Sequence, residues 1–123
     1  MLTSFGKWAL IFFCGTLVEA CSTIDYNHRV EDWPVLTPIE HRVSQKEMHD
    51  ACDKYASPLE TVLACAIFDF DALTCDMWFV DPVEQWKVDH EKAHCIGYEH
   101  TGPAYDLHRM WDEWKKQQRQ SNE

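Results

Sequence analysis

The sequence predicts a small α+β domain in which a short antiparallel sheet packs with about three helices. Three observations predict it. Ser44-Gln45-Lys46-Glu47 opens a stretch with apolar residues at helical spacing. Two apolar runs, 60–68 and 74–80, flank the turn-forming Asp69-Phe70-Asp71-Ala72. Two further helical stretches follow, at about 82–96 and 104–118.

The chain has 123 residues, which suits one domain. Lys7 precedes an apolar run over 8–18, and Val18-Glu19-Ala20-Cys21 follows. The pattern resembles a bacterial export signal of the lipoprotein type, with Cys21 as the lipidated residue. Residues 1–20 are then the signal peptide. Ser22 after the cysteine favours the outer membrane facing the periplasm under that resemblance. The alternative is an ordinary signal cut after Ala20, with Cys21 left as a thiol. The apolar run falls short of the roughly 20 residues that a spanning helix needs.

Losing residues 1–20 removes one Lys and one Glu, so the net charge of −10 is unchanged. Such a charge argues against a nucleic-acid partner and against electrostatic docking on anionic lipid. Four cysteines remain after Cys14 and Cys21: Cys52, Cys65, Cys75 and Cys95. In an exported small domain these read as two disulfides, with three possible pairings.

Residues 21–43 carry Pro34, Pro38 and scattered charges, and are expected to be a tether with short extended pieces. The folded domain then spans 44–123. Its first helix presents Met48, Ala51, Cys52 and Tyr55 as one stripe and ends at Ser57-Pro58. His28, His41 and His49 lack ligand-like spacing and read as solvated. A hairpin turning on Phe70 would set Cys65 opposite Cys75, leaving Cys52 for Cys95. The next helix has Asp81 as its cap and Pro82 in its first turn, with Val83, Trp86, His90 and His94 on one face. Trp86 is a core residue or packs beneath the site, and Asp89 reads as solvated, with a hydrogen bond to a ligand histidine as the alternative. In the terminal helix, Leu107, Met110, Trp111 and Trp114 form the packing stripe.

The chemistry concentrates in 90–100, which reads H-E-x-x-H-x-x-G-x-x-H. His90 and His94 are four apart and aim two imidazoles at one point. Glu91 lies about 100° round the helix, where it can take a proton beside a metal. Gly97 tolerates positive φ and can turn the chain back, so that His100 approaches from a third side. Three ligands and an open fourth position characterise a catalytic zinc site.

This stretch resembles the extended zinc-binding motif of the metzincin metallopeptidases, with every specified position filled. The resemblance implies a zincin-like fold, Zn²⁺ held by His90, His94 and His100, and Glu91 as catalytic base. It also implies a peptide or protein substrate, laid along a sheet edge. Two features depart from the family. The domain is small, and Met110, the only methionine after His100, sits in a helical run rather than a turn. Glu113, with His108 and Asp112 nearby, is a runner-up third ligand on a later helix. Tyr98 and Tyr105 are candidate oxyanion donors or packing residues. The expected function is a zinc metallopeptidase of the cell envelope. The alternative is a non-catalytic zinc-binding lipoprotein, acting in metal handling or as an interaction module.

Overall fold

The computed structural model describes residues 8–12, 23–52, 64–100 and 107–122. The elements run β1 (Trp8–Phe12), β2 (Ile24–Arg29), β3 (Thr37–Val43), α1 (Gln45–Cys52), β4 (Ala64–Asp69), β5 (Thr74–Val80), α2 (Gln85–Cys95), β6 (Tyr98–His100) and α3 (Leu107–Ser121). This is the expected α+β class, with three helices and two open sheets among the described residues. The larger sheet has the order β1-β4-β5-β3, and β2 pairs with β6 in the smaller.

The expected capping box forms at α1. The Ser44 hydroxyl accepts the Glu47 amide at 3.2 Å, and the Glu47 carboxylate accepts the Ser44 amide at 3.1 Å. Two orphan amides are satisfied at once. Met48 and Cys52 are buried on the inner stripe of this helix. Tyr55, Ser57 and Pro58 lie outside the described residues.

β4 and β5 form the expected antiparallel hairpin, with a register that differs from the expectation. Asp69 pairs with Thr74 across a four-residue turn, 70–73. The Asp69 carboxylate accepts the Asp71 and Ala72 amides, and Leu73 takes a left-handed φ of 59°. Cys65 therefore faces Trp78, and Cys75 faces Phe68. Strand neighbours alternate between faces, so Cys65 and Cys75 point to opposite sides of the sheet.

That parity overturns the expected Cys65–Cys75 and Cys52–Cys95 pairings. Among the described residues a disulfide joins Cys75 to Cys95, and so ties β5 to the end of α2. Cys52 and Cys65 are buried thiols.

The segment expected as a tether contributes to the fold. β3 runs parallel to β5 from Thr37↔Thr74 to Val43↔Val80. Val30, Trp33 and Leu36 are buried in the main apolar cluster. Trp8–Phe12, within the expected export signal, pairs antiparallel with β4. Cys14 and Cys21 lie outside the described residues. Among the described residues no helix is long and apolar enough to cross a membrane.

Two cores lie on opposite faces of β4 and β5. Ala64, Ala66 and Phe68 of β4, with Cys75, Met77 and Phe79 of β5, face Val88, Cys95, Leu107 and Trp111. Cys65 and Ile67 face Met48 and Cys52 of α1. Aromatic contacts seat α3 on the larger core: Trp33 lies 6.2 Å from Trp111, and Phe70 lies 5.1 Å from Trp111 and 5.9 Å from Trp114, centroid to centroid. Met110 packs against the same cluster.

Trp33 touches Phe68, Phe70 and Trp111, and its indole N–H donates to the Cys95 carbonyl at 2.9 Å. Trp33→Ala is expected to cost about 3–5 kcal/mol of unfolding free energy in urea denaturation. Trp33→Phe, which chiefly forfeits the hydrogen bond, is expected to cost less, on the order of 1–2 kcal/mol. Equal small losses in both variants would show that Trp33 does not organise this core.

Candidate metal centre

α2 begins later than the sequence suggests. Asp81-Pro82 is a cis bend ahead of the helix, and Glu84 is the cap residue. The Asp81 carboxylate instead accepts from Arg42. Glu84 accepts from the Trp86 indole at 3.0 Å and from Lys87 at 2.8 Å. Trp86 is thus an exposed residue, neither core nor a support beneath the site. Asp89 is exposed and accepts from Gln85 one turn earlier.

The far end of α2 is built for a reversal. Gly97 has φ +97°, and its amide donates to the His94 carbonyl at 2.9 Å. A Cβ placed on Gly97 would stand 2.8 Å from Trp33 Cγ, so a side chain is excluded by space as well as by backbone conformation. The last helical carbonyls find distant donors. Trp33 takes that of Cys95, and Arg29 takes that of Ile96 at 2.6 Å. The Val30 amide donates to the Gly97 carbonyl at 2.9 Å. β6 then runs back beside the helix against β2.

This turn brings His90, His94 and His100 together. Their Nε2 atoms form a nearly equilateral triangle, with edges of 3.0 Å (His90–His100), 3.1 Å (His90–His94) and 3.1 Å (His94–His100). His94 Nδ1 lies 2.8 Å from the Tyr98 carbonyl. A carbonyl only accepts, so Nδ1 carries the proton and His94 Nε2 presents a bare lone pair. No placement of protons on the other two rings then satisfies all three edges. If both donate to His94, two N–H groups oppose each other. If one donates, two lone pairs oppose each other. A cation satisfies all three nitrogens together.

Burial holds the three imidazoles neutral, which is the ligating form. It pushes His90 down to about 3, with His100 adding to the shift. His94 lies well below its usual value, through burial and then through His100 and His90. His100 is lowered by burial, and Glu99 opposes the shift. Among the described residues these three are the group whose ligand atoms gather within 4.8 Å, and they can hold a metal ion. The donor set of three neutral imidazoles suits a borderline dication.

Glu91 stands outside the ligand triangle. It falls between Val88 and Cys95 on the helix stripe that packs on the sheet, and it is fully buried. Neither carboxylate oxygen has a hydrogen-bond partner among the described residues. Burial raises its pKa well above the usual range, and the Cys52 thiol adds to the shift. A dication at the histidines would oppose that shift by favouring the ionised form.

The runner-up ligands lie elsewhere. His108 donates its amide to Glu99, and its ring nitrogen lies 3.1 Å from the same carboxylate. Glu113 and Asp112 line a surface recess with Arg109 and Lys116. Tyr98 packs its ring on Tyr26, at 5.4 Å between centroids. Tyr105 lies outside the described residues. Sequence reasoning missed Arg29 and Trp33, which act from more than sixty residues away. It also missed Glu99, a buried carboxylate beside ligand His100 that meets both His28 and His108. A charged residue inside a short strand next to a ligand was the one available signal.

No known protein family matches the chain, and neither the curated proteins nor the solved structures provide a match.

Gly97→Ala is expected to destabilise the protein by about 2 kcal/mol or more, because it combines positive-φ strain with the Trp33 clash. The same variant is expected to weaken metal binding, since His100 rides on this turn. Undiminished affinity on metal titration would show that the turn does not set the ligand geometry.

Stability of the metal-free protein is expected to depend on pH in two opposed ways. The unfolded histidines titrate near 6.5 and the folded ones lower. Acid below about 6.5 therefore favours the unfolded chain, down to about 3 for His90. Glu91 has the opposite sign: its folded pKa is raised, so stability falls as pH rises above about 4.5. Urea denaturation with chelator present is expected to show stability declining above pH 6.5 in the wild type and a flatter limb in Glu91→Gln. Parallel limbs would mean that Glu91 is not held protonated in the folded state.

Proposed function

We propose that the protein is a zinc-dependent metallopeptidase of the bacterial cell envelope. The observation that carries this reading is the triangle of three neutral Nε2 atoms, each within 3.1 Å of the other two. Three protein ligands would leave a fourth coordination position for water, which suits catalytic rather than structural zinc. The likeness of residues 90–100 to the metzincin motif supports the choice of metal and of reaction class.

His90, His94 and His100 would hold the metal. Zinc, when bound, supplies Lewis acidity, lowering the pKa of a water towards about 7 and polarising a scissile carbonyl. The protein's own groups supply the rest. The Tyr98 carbonyl keeps the His94 proton on Nδ1 and so keeps Nε2 available. Glu91 is the proton acceptor, and it returns the proton to the leaving amine. Among the described residues neither oxygen has a competing hydrogen bond, which leaves both available for that transfer. The substrate is a peptide or protein. Lipid attachment at Cys21 would hold the enzyme on the outer membrane, facing the periplasm.

A second reading has an observation in its favour. Glu91 belongs to the helix stripe packed on the sheet and is 0% exposed, deeper than an active-site base requires. This suits a zinc-binding lipoprotein without hydrolytic activity, serving metal handling or an interaction.

Elemental analysis of the purified protein is expected to find one zinc per chain. His100→Ala is expected to weaken affinity by at least about 100-fold. In a peptidase screen, Glu91→Gln is expected to keep the zinc and lose about 10²–10⁴-fold in rate. No zinc after reconstitution would sink both readings. Zinc present, with wild type and Glu91→Gln equally inactive across the screen, would favour the non-catalytic one.

A further inference from the structure

We infer that Cys52 and Cys65 form a second disulfide, one that staples α1 to β4 on the sheet face opposite the Cys75–Cys95 bond. Cys52 ends α1 and Cys65 is the second residue of β4, and both are wholly buried in the same small apolar cluster. That cluster gathers Met48 and Cys52 of the helix against Cys65 and Ile67 of the strand, so the two cysteines meet where the helix end packs on the sheet. Cys75 and Cys95 are committed to each other and belong to the other cluster. Strand parity keeps the two pairs apart, since Cys65 pairs with Trp78 and Cys75 with Phe68.

The small core has reason to need a crosslink. α1 is only eight residues long, and its buried side chains are Met48 and Cys52. An isolated helix of that length does not hold itself together in water. A bond from Cys52 to Cys65 would close a short loop and restrict the unfolded chain. It would also replace two buried thiols with one apolar linkage inside a cluster otherwise made of Met48 and Ile67.

The reaction is thiol–disulfide exchange with an external disulfide, either a small dithiol oxidant in its oxidised form or an oxidoreductase. One cysteine, as the thiolate, attacks the donor's disulfide and releases a donor thiolate. The second cysteine gives up its proton and attacks the resulting mixed disulfide. A second donor thiolate leaves. Two protein thiols are oxidised and one donor disulfide is reduced to two thiols. The neighbouring Cys52 and then burial raise the Cys65 thiol and hinder thiolate formation in the folded protein, so the bond forms while the chain is still folding.

The test needs no variant. The full chain is reduced, unfolded and refolded with oxidised and reduced glutathione. It is then alkylated in denaturant without reductant and mapped by mass spectrometry. Trypsin alone leaves Cys65 and Cys75 on one peptide, so chymotrypsin, which cuts at Phe68 and Phe70, is added. A peptide pair joined through Cys52 and Cys65 is the expected result, alongside one joined through Cys75 and Cys95. Alkylated Cys52 and Cys65, or a link from either to any other cysteine, would overturn the inference. Zinc content is read separately on the same material, so the outcome here is independent of the metal site.

Discussion

An α-helix can aim two of its own side chains at one point when they lie four residues apart, but a third must come from chain that has turned back. Here the reversal is made at Gly97, at φ +97°, with Trp33 filling the space a Cβ would need. The turn would leave helical carbonyls exposed, and two residues from a distant segment receive them. Arg29 caps Ile96, and Trp33 caps Cys95. The carbonyl of Tyr98, one residue past the glycine, in turn sets the tautomer of His94. A single local conformation thus delivers His100, and the same turn prepares the lone pair of His94. The Cys75–Cys95 bond fixes the adjoining end of the helix to β5.

The sheet separates two environments. The larger core carries the aromatic cluster and the helix that bears His90 and His94. The smaller one holds α1 with Cys52 and Cys65. Glu91 is the misfit in this scheme. Its carboxyl has no partner among the described residues, so it is expensive to bury, and an apolar residue between Val88 and Cys95 would pack with less penalty. That cost gives the side chain its interest. A dication nearby would make the same position useful, because it would favour the ionised form that burial disfavours.

The sequence revealed what depends on local spacing. The H-E-x-x-H-x-x-G-x-x-H pattern placed His90, His94, His100 and Gly97 where the structure has them. The Ser44–Glu47 box, the stripe of α3 and the existence of the β4–β5 hairpin were equally local. What depends on tertiary pairing was not legible. The hairpin register was missed because Leu73, rather than a glycine or asparagine, takes the left-handed position, which shifts the turn to 70–73. A shift of odd parity exchanged the faces of the cysteines and with them the pairing. The parallel docking of β3 on β5 left no trace in a segment with two prolines and a mostly exposed pattern. Trp33 and Arg29 gave no sign of their role, because their partners lie across the fold.

Three imidazoles, and no other protein group among the described residues, would hold the metal and leave one position for water. X-ray absorption at the zinc edge of the zinc-loaded full chain tests it most directly. The expected spectrum fits three imidazole nitrogens at about 2.0–2.1 Å plus one further light atom. A sulfur shell near 2.3 Å, four imidazoles, or a six-coordinate oxygen-rich shell would contradict it.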